Sequence, residues 1–344
     1  MMSHKDRPIL ILSTVVILLG IVVTGCLSSK PSDETKSFGK IVLKLGTETA
    51  LETPESRGSQ KLAELVKEKS KGSLEILVYE NAKLGNMRDR NEGMRMGTID
   101  MGTSSVGFLS IYEPLTGIFD LPYLYKDKAH EMRVFDSPIG KEIDQKLQAQ
   151  GLRVLCYFDA GSRHITNNRK PIYTSADLKG LHLRVPQSEA SMEGFKIIGA
   201  TPMALPFGEV YTALQQGTAD GQENPVSLIF HNKFYEVQKY LSLTNHQMFI
   251  QVLLISEKSW RKLSMEQQKV LMEAAKEAQQ YERDIAVKDE IELIKQLKEK
   301  GMQVNEVPQT DEFAIKARPL RELYSKRIGQ SARELFQKID ALRD

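Results

Sequence analysis

The sequence predicts an α/β fold built around two hydrophobic cores. Short apolar runs of strand length alternate with amphipathic segments of helix length, the pattern that layered α/β proteins share. Roughly 310 of the 344 residues lie beyond an amino-terminal apolar run, enough chain for two ordinary cores. One helical pattern near the carboxyl end is long enough to lie across both.

The elements follow in order. Lys5 and Arg7 precede an uncharged apolar run over residues 9–23, and Val23-Thr24-Gly25-Cys26 comes next. Positive, then apolar, then small is the order of an export signal. The run has about 15 residues, short of the roughly 20 that span a bilayer as a permanent helix. Cys26 directly after Thr24-Gly25 resembles the bacterial lipobox, which makes residues 1–25 a lipoprotein signal peptide and Cys26 the lipidated first residue. An uncleaved membrane anchor is the alternative. Either way the rest of the chain is expected outside the cytoplasmic membrane, held by a flexible tether over residues 26–39 that is rich in serine.

Removal of residues 1–25 takes away Lys5, Asp6 and Arg7, and the formal charge falls from +2 to +1. Such a balance leaves no electrostatic footprint for nucleic acid. With Cys26 lipidated, Cys156 has no partner for a disulfide, and its place in Val154-Leu155-Cys156-Tyr157-Phe158 reads as a buried small hydrophobe.

Residues 41–45 read as a first strand. Thr53-Pro54 then caps a helix whose apolar face is Leu62, Leu65 and Val66, with Gly72 as its stop. Residues 74–78 form the next strand, giving a right-handed crossover unit. Residues 88–96 look helical, 99–102 look like a strand entering a turn, and 152–158 form a further strand. A second region begins near Gly161. There Leu181, Leu183 and Val185 alternate with His182 and Arg184, so the last two share one strand face. A helix over 189–198, a short run at 203–205 and a helix from about 208 to 216 follow. Residues 248–255 form an apolar strand that returns the chain to the first region. Ser264-Met265-Glu266-Gln267 is a capping box, and the helix it opens runs to Lys300, either unbroken at about 55 Å or as two pieces.

The six histidines show no HExxH spacing, and the chain has no paired-cysteine site, G-x-S-x-G elbow, P-loop or GxGxxG. Nothing in it argues for catalysis, a metal or a cofactor. Two arginines stand out instead. Arg184 lies on a strand whose other face is apolar, and Arg163 opens the second region where two lobes would meet. A guanidinium offers a planar fork that matches a carboxylate in two parallel bonds, and domain junctions are where small-molecule sites concentrate.

Seven ordered blocks then narrow the reading: Asn81-Ala82-Lys83-Leu84-Gly85, Leu121-Pro122-Tyr123, Gly161-Ser162-Arg163, Asp177-Leu178-Lys179-Gly180-Leu181, Arg184-Val185-Pro186, the stretch 207–217 from Phe207-Gly208-Glu209 to Gln216-Gly217, and Asp220-Gly221-Gln222-Glu223-Asn224-Pro225. From residue 41 to at least 260 the chain resembles the DctP family, the extracytoplasmic substrate-binding proteins of TRAP transporters. The resemblance implies a two-lobed, periplasmic-binding-protein-like fold with a hinge cleft and a long helix bracing both lobes. It divides the chain into lobe 1 over 40–160, completed by about 250–289, and lobe 2 over 161–249, completed by about 290–344. It implies capture of a small carboxylate without turnover and delivery to membrane permease subunits. The family's carboxylate-gripping arginine falls on Arg184, its second arginine on Arg163, its pocket amide on Asn224 and its pocket aromatic on Phe207. Glu48 and Thr49 fall in its first cleft-lining turn, and Ser104 and Ser105 in another cleft-facing loop. Glu48 is either a receiver of ligand hydroxyl or ammonium groups or an internal partner of Arg163 or another base. A binding protein of an ATP-driven transporter, a sensory receptor and an exported enzyme acting on a carboxylic acid are the other readings, and the block at 220–225 argues against the first.

Overall fold

The structure, a computed structural model, describes residues 39–308 and 310–343. The expected signal peptide, Cys26 and the tether up to residue 38 lie outside these residues. Strand β1 (Ile41–Gly46) turns Leu43 and Leu45 into the core and Val42 and Lys44 outward. At the start of helix α1 (Pro54–Lys69) the Thr53 hydroxyl accepts the Ser56 N–H at 3.4 Å and proline occupies the first turn, where its missing N–H costs nothing. Gly72, at φ +79°, turns the chain into β2 (Leu74–Tyr79), parallel to β1. An Asn86/Asp89 capping box opens α2 (Met87–Met96), which leads to β3 (Met101–Ser105). Ser104 and Ser105, expected in a loop, are the last two residues of that strand.

Two 3-10 turns, Gly107–Ile111 and Pro114–Asp120, and helices α3 (Lys128–Asp136) and α4 (Pro138–Ala149) carry the chain to β4 (Leu152–Asn167). The second region holds β5 (His182–Val185), α5 (Glu189–Ile198), β6 (Thr201–Ala204), α6 (Val210–Gln215), β7 (Gly221–Pro225) and α7 (Val226–His231). Then come β8 (Tyr240–Ser256), the short α8 (Glu257–Trp260), α9 (Met265–Glu299), β9 (Gln303–Glu306) and α10 (Thr310–Ala317), α11 (Pro319–Ile328) and α12 (Gln330–Asp340).

The nine strands of the described residues form one sheet in the order β2-β1-β3-β8-β4-β7-β5-β6, with β9 on β8. Strands β4 and β8 belong to both halves. Residues 152–159 of β4 pair with 250–256 of β8 beside β3, and residues 162–167 pair with 240–248 beside β7. Between the two stretches the register slips at Asp159/Ser162, where Gly161 takes φ +90° and its N–H donates to Asp159 Oδ1 at 2.8 Å. A bulge of this kind bends a strand, here at the expected border of the two regions. Both strands are about twice as long as the sequence suggests. Residues 159–167, Asp-Ala-Gly-Ser-Arg-His-Ile-Thr-Asn, have no apolar alternation, yet all are buried because sheet and side-chain partners satisfy most of their polar groups.

Helix α9 is a single helix of 35 residues, about 52 Å long, which settles the choice between one helix and two. It packs on α1 and the first half of β4, then on α7 and β9. Its own Ala274, Ala275 and Ala278 are buried, and a Cβ on Gly58 of α1 would lie 2.8 Å from Glu282 Cγ, so small residues set the close approach. A core cluster around Leu62, Leu253 and Leu271 lies under α1 and α9, another around Val210, Phe234 and Leu297 under α6, α7 and the end of α9, and the largest spans both halves. The carboxyl-terminal helices help close it. Helix α10 meets α5, while Ile339 O accepts from His130 Nε2 at 2.8 Å and Leu342 O from Arg133 Nε at 2.9 Å, tying the end of the chain to α3.

Candidate functional site

Where the two halves meet, a cavity holds about 730 Å³ of empty space, its mouth included. Seven of the eight residues singled out for the cleft in the sequence line it together: Arg184, Arg163, Asn224, Phe207, Glu48, Ser105 and Thr49. The eighth, Ser104, is turned away and accepts the Asn91 side-chain N–H at 2.9 Å.

Arg184 comes from β5 and is only 2% exposed. Its Nε and Nη2 both donate to Leu205 O, at 3.1 and 2.7 Å, which fixes the plane of the guanidinium. Nη1 is buried and has no hydrogen-bond partner among the described residues. Burial brings the group down to about 10, with Glu223 and Glu48 opposing that shift and Arg163 adding to it, so it remains a cation at neutral pH. An unpartnered buried N–H of a fixed cation is costly unless something fills it.

Arg163, on β4, is differently placed. Its Nε donates to Glu223 Oε2 at 2.5 Å, and its Nη2 donates to Glu223 Oε1 at 2.9 Å, to Glu223 O at 2.8 Å and to Asn224 Oδ1 at 3.2 Å. The guanidinium stacks over the Phe249 ring at 4.4 Å. Burial alone would raise Glu223, but the Arg163 charge, with hydrogen bonds from His246 and Arg163, holds its carboxyl down at about 2. His246 Nε2 lies 2.9 Å from Glu223 Oε2 while its Nδ1 faces the Thr244 hydroxyl at 2.9 Å, and burial keeps the ring below its ordinary value. A neutral ring protonated at Nε2 satisfies both contacts. The internal acid of Arg163 is therefore Glu223, not Glu48.

Glu48 makes no ion pair within 4 Å among the described residues. Burial raises its carboxyl, and Arg90, Arg184 and the Met87 N–H at the start of α2 pull the other way. Arg90, fully buried in α2, donates to Gly85 O and Thr103 O, each at 3.0 Å. Asn224 donates to Gln222 Oε1 at 2.5 Å, and Phe207 meets Phe234 edge to face at 6.1 Å. Ser105 Oγ donates to Asp120 Oδ1 at 3.4 Å.

Glu223, Arg90, Asp120, Gln247 and Phe249 were given no role by sequence. Asp120 directly precedes the Leu121-Pro122-Tyr123 block and Glu223 lies inside the block at 220–225, so both were within reach of it. Pairing of Arg163 with Glu223 follows from β4 lying beside β7, with Ile165 opposite Glu223, a neighbour relation no local pattern reveals. Cys156 is buried in the first core, and burial pushes its thiol well up. Among the described residues no group of three or more His, Cys, Asp and Glu side chains is arranged to hold a metal ion, and no helix is long and apolar enough to cross a membrane.

One sheet whose halves share two bent strands, with a cavity lined by buried arginines and carboxyls at their junction, is the architecture of a two-lobed small-molecule receptor. The family model for DctP, the bacterial extracellular solute-binding protein family 7, matches residues 45–327. The chain is 34% identical over 304 residues to the 2,3-diketo-L-gulonate-binding periplasmic protein YiaO of Escherichia coli, covering 88% of this chain and 89% of that protein. A TRAP periplasmic solute-binding protein of Polaromonas, solved bound to D-erythronate, superposes with a TM-score of 0.85 at 34% identity, covering 89% of this chain and all of that one. Another, from Sulfurospirillum deleyianum with bound succinate, gives 0.83 at 30% identity over 88% and 99%. This chain belongs to the DctP family of TRAP solute-binding proteins.

Proposed function

We propose that this protein captures a small carboxylate, an organic acid or a sugar acid, between its lobes and delivers it unchanged to membrane permease subunits. The unpartnered Arg184 Nη1 in the cavity wall carries the reading. A ligand carboxylate there would receive the N–H that the protein leaves free, with Asn224, Ser105 and Glu48 available to the ligand's other polar groups and Phe207 to its carbon chain. A charge-assisted hydrogen bond of this kind contributes on the order of 1.5–3 kcal/mol once desolvated. Lobe closure about the bend in β4 and β8 supplies that desolvation, and opening at the permease releases the ligand. The acids bound by the Escherichia, Polaromonas and Sulfurospirillum proteins support the ligand class.

A thermal-shift screen of residues 27–344 against organic, keto, aldonic and uronic acids tests it, since a ligand that binds only the native state raises its melting temperature. A shift from one acid class is the expected result. No shift, together with no ligand released on denaturation and detected by mass spectrometry, would refute it. The same reading anchors the protein outside the cytoplasmic membrane through lipidated Cys26. Cys26→Ala is expected to move it from the membrane to the soluble fraction, and continued membrane attachment would show another anchor.

A further inference from the structure

We propose that Asp120 makes the cavity selective for singly charged hydroxy acids, so that a second carboxylate on the ligand is refused. The inference rests on the carboxylate-receptor reading above and adds to it which acids are rejected. Asp120 ends the turn Pro114–Asp120 and lines the cavity, although it is only 6% exposed. Its position is built into the backbone. A Cβ on Gly107 would lie 1.9 Å from Asp120 Cγ, so only glycine at 107 leaves room for the carboxyl.

The donors of that corner are already engaged. Ser105 Oγ donates to Asp120 Oδ1 at 3.4 Å and Gln247 Nε2 at 3.1 Å, and Ser188 lies beside it. What Asp120 offers a ligand is therefore acceptor capacity, which suits a hydroxyl and not a carboxylate. Glu48, which also lines the cavity, offers the same. Of the two arginines that line the cavity, Arg163 is matched by Glu223, which leaves Arg184 as the one with an unpartnered N–H among the described residues.

The charge balance points the same way. Three buried arginines, Arg90, Arg163 and Arg184, face the carboxyls of Glu48, Glu55, Asp120 and Glu223. Burial already holds Glu48, Glu55 and Asp120 above the usual carboxylate range. One ligand carboxylate adds a fifth acid group, which the free N–H of Arg184 receives. A second would enter low-dielectric space where acid groups already outnumber the arginines, and like charges there are strongly disfavoured. The succinate-bound Sulfurospirillum protein shows that the shared frame accepts a dicarboxylate, so refusal here falls on these side chains.

Calorimetric titration with pairs of acids that differ only in the oxidation of the last carbon tests the proposal: D-erythronate against meso-tartrate, and D-galactonate against galactarate. The wild-type protein is expected to bind the monoacid of at least one pair about 100-fold tighter than its diacid, and Asp120→Asn to narrow that ratio to within about tenfold. Equal affinity for both members of a pair in the wild type, or an unchanged ratio in Asp120→Asn with native circular dichroism, would overturn it. The wild-type ratio decides even if the variant does not fold. Failure of the receptor reading looks different, as no binding of any acid, and would remove this inference with it.

Discussion

Two buried charge clusters stand a few residues apart along β4, one at Arg163 with Arg184, the other at Asp159 beneath α9. In the first, Glu223 neutralises Arg163 and the N–H left over belongs to Arg184, facing the cavity. In the second, Lys128 pairs with Asp159 and lies 3.6 Å from Glu131, while Asp159 N donates to Glu282 Oε2 at 2.7 Å. Acid is in excess there. Burial pushes Glu131 up to about 8 and Glu282 well above its ordinary value, Lys128 offsetting only part of the shift. The contrast separates two fates of a buried ionisable group. A buried acid in excess of nearby cations is pushed toward its protonated form and stays where it is. An arginine keeps its proton at neutral pH, so an unpartnered guanidinium N–H in a cavity wall is where an outside acceptor can bind.

The largest effect expected from breaking this contrast comes from Arg184→Ala. Calorimetry should show no measurable binding of any acid that the wild type binds, and the melting temperature should fall by only a few degrees. Glu223→Gln should act next most strongly. It frees Arg163 from its fork and is expected to weaken binding by about tenfold. It also acts on acid stability. The folded carboxyl, near 2, lies below its unfolded value, so its contribution is complete above about 4.5 and disappears as pH falls from there toward 2. Melting curves of Glu223→Gln should lack that part of the acid loss.

Glu131→Gln should show the smallest effect and the opposite sign. Its folded value, about 8, lies above the unfolded one, so stability is highest below about 4.5 and declines as pH rises toward 8. The variant should match wild type near pH 4, melt a few degrees higher at pH 8, and bind ligand unchanged. Altered affinity would mean that the second cluster communicates with the first.

Much of this was legible in the sequence for physical reasons. Local chemistry marked α1 and α9: Thr53-Pro54 and the Ser264 capping box act within one turn, and both helices begin where those residues stand. Ordered blocks, each weak alone, brought Arg163, Arg184, Phe207 and Asn224 to one cavity. What escaped depends on distant neighbours. The polar half of β4 reads as a loop until β7 and β8 supply its partners. Asp120 means nothing until Gly107, thirteen residues earlier, is seen to make room for it. Whether α9 is continuous was likewise undecidable from a pattern that permits both.

The most direct test of the central claim is a crystal structure with an acid found by the screen. The account predicts a ligand carboxylate oxygen within about 2.7–3.1 Å of Arg184 Nη1, with the Leu205 and Glu223 contacts of the two arginines unchanged. A carboxylate bound elsewhere in the cavity, with Nη1 still unpartnered, would contradict it.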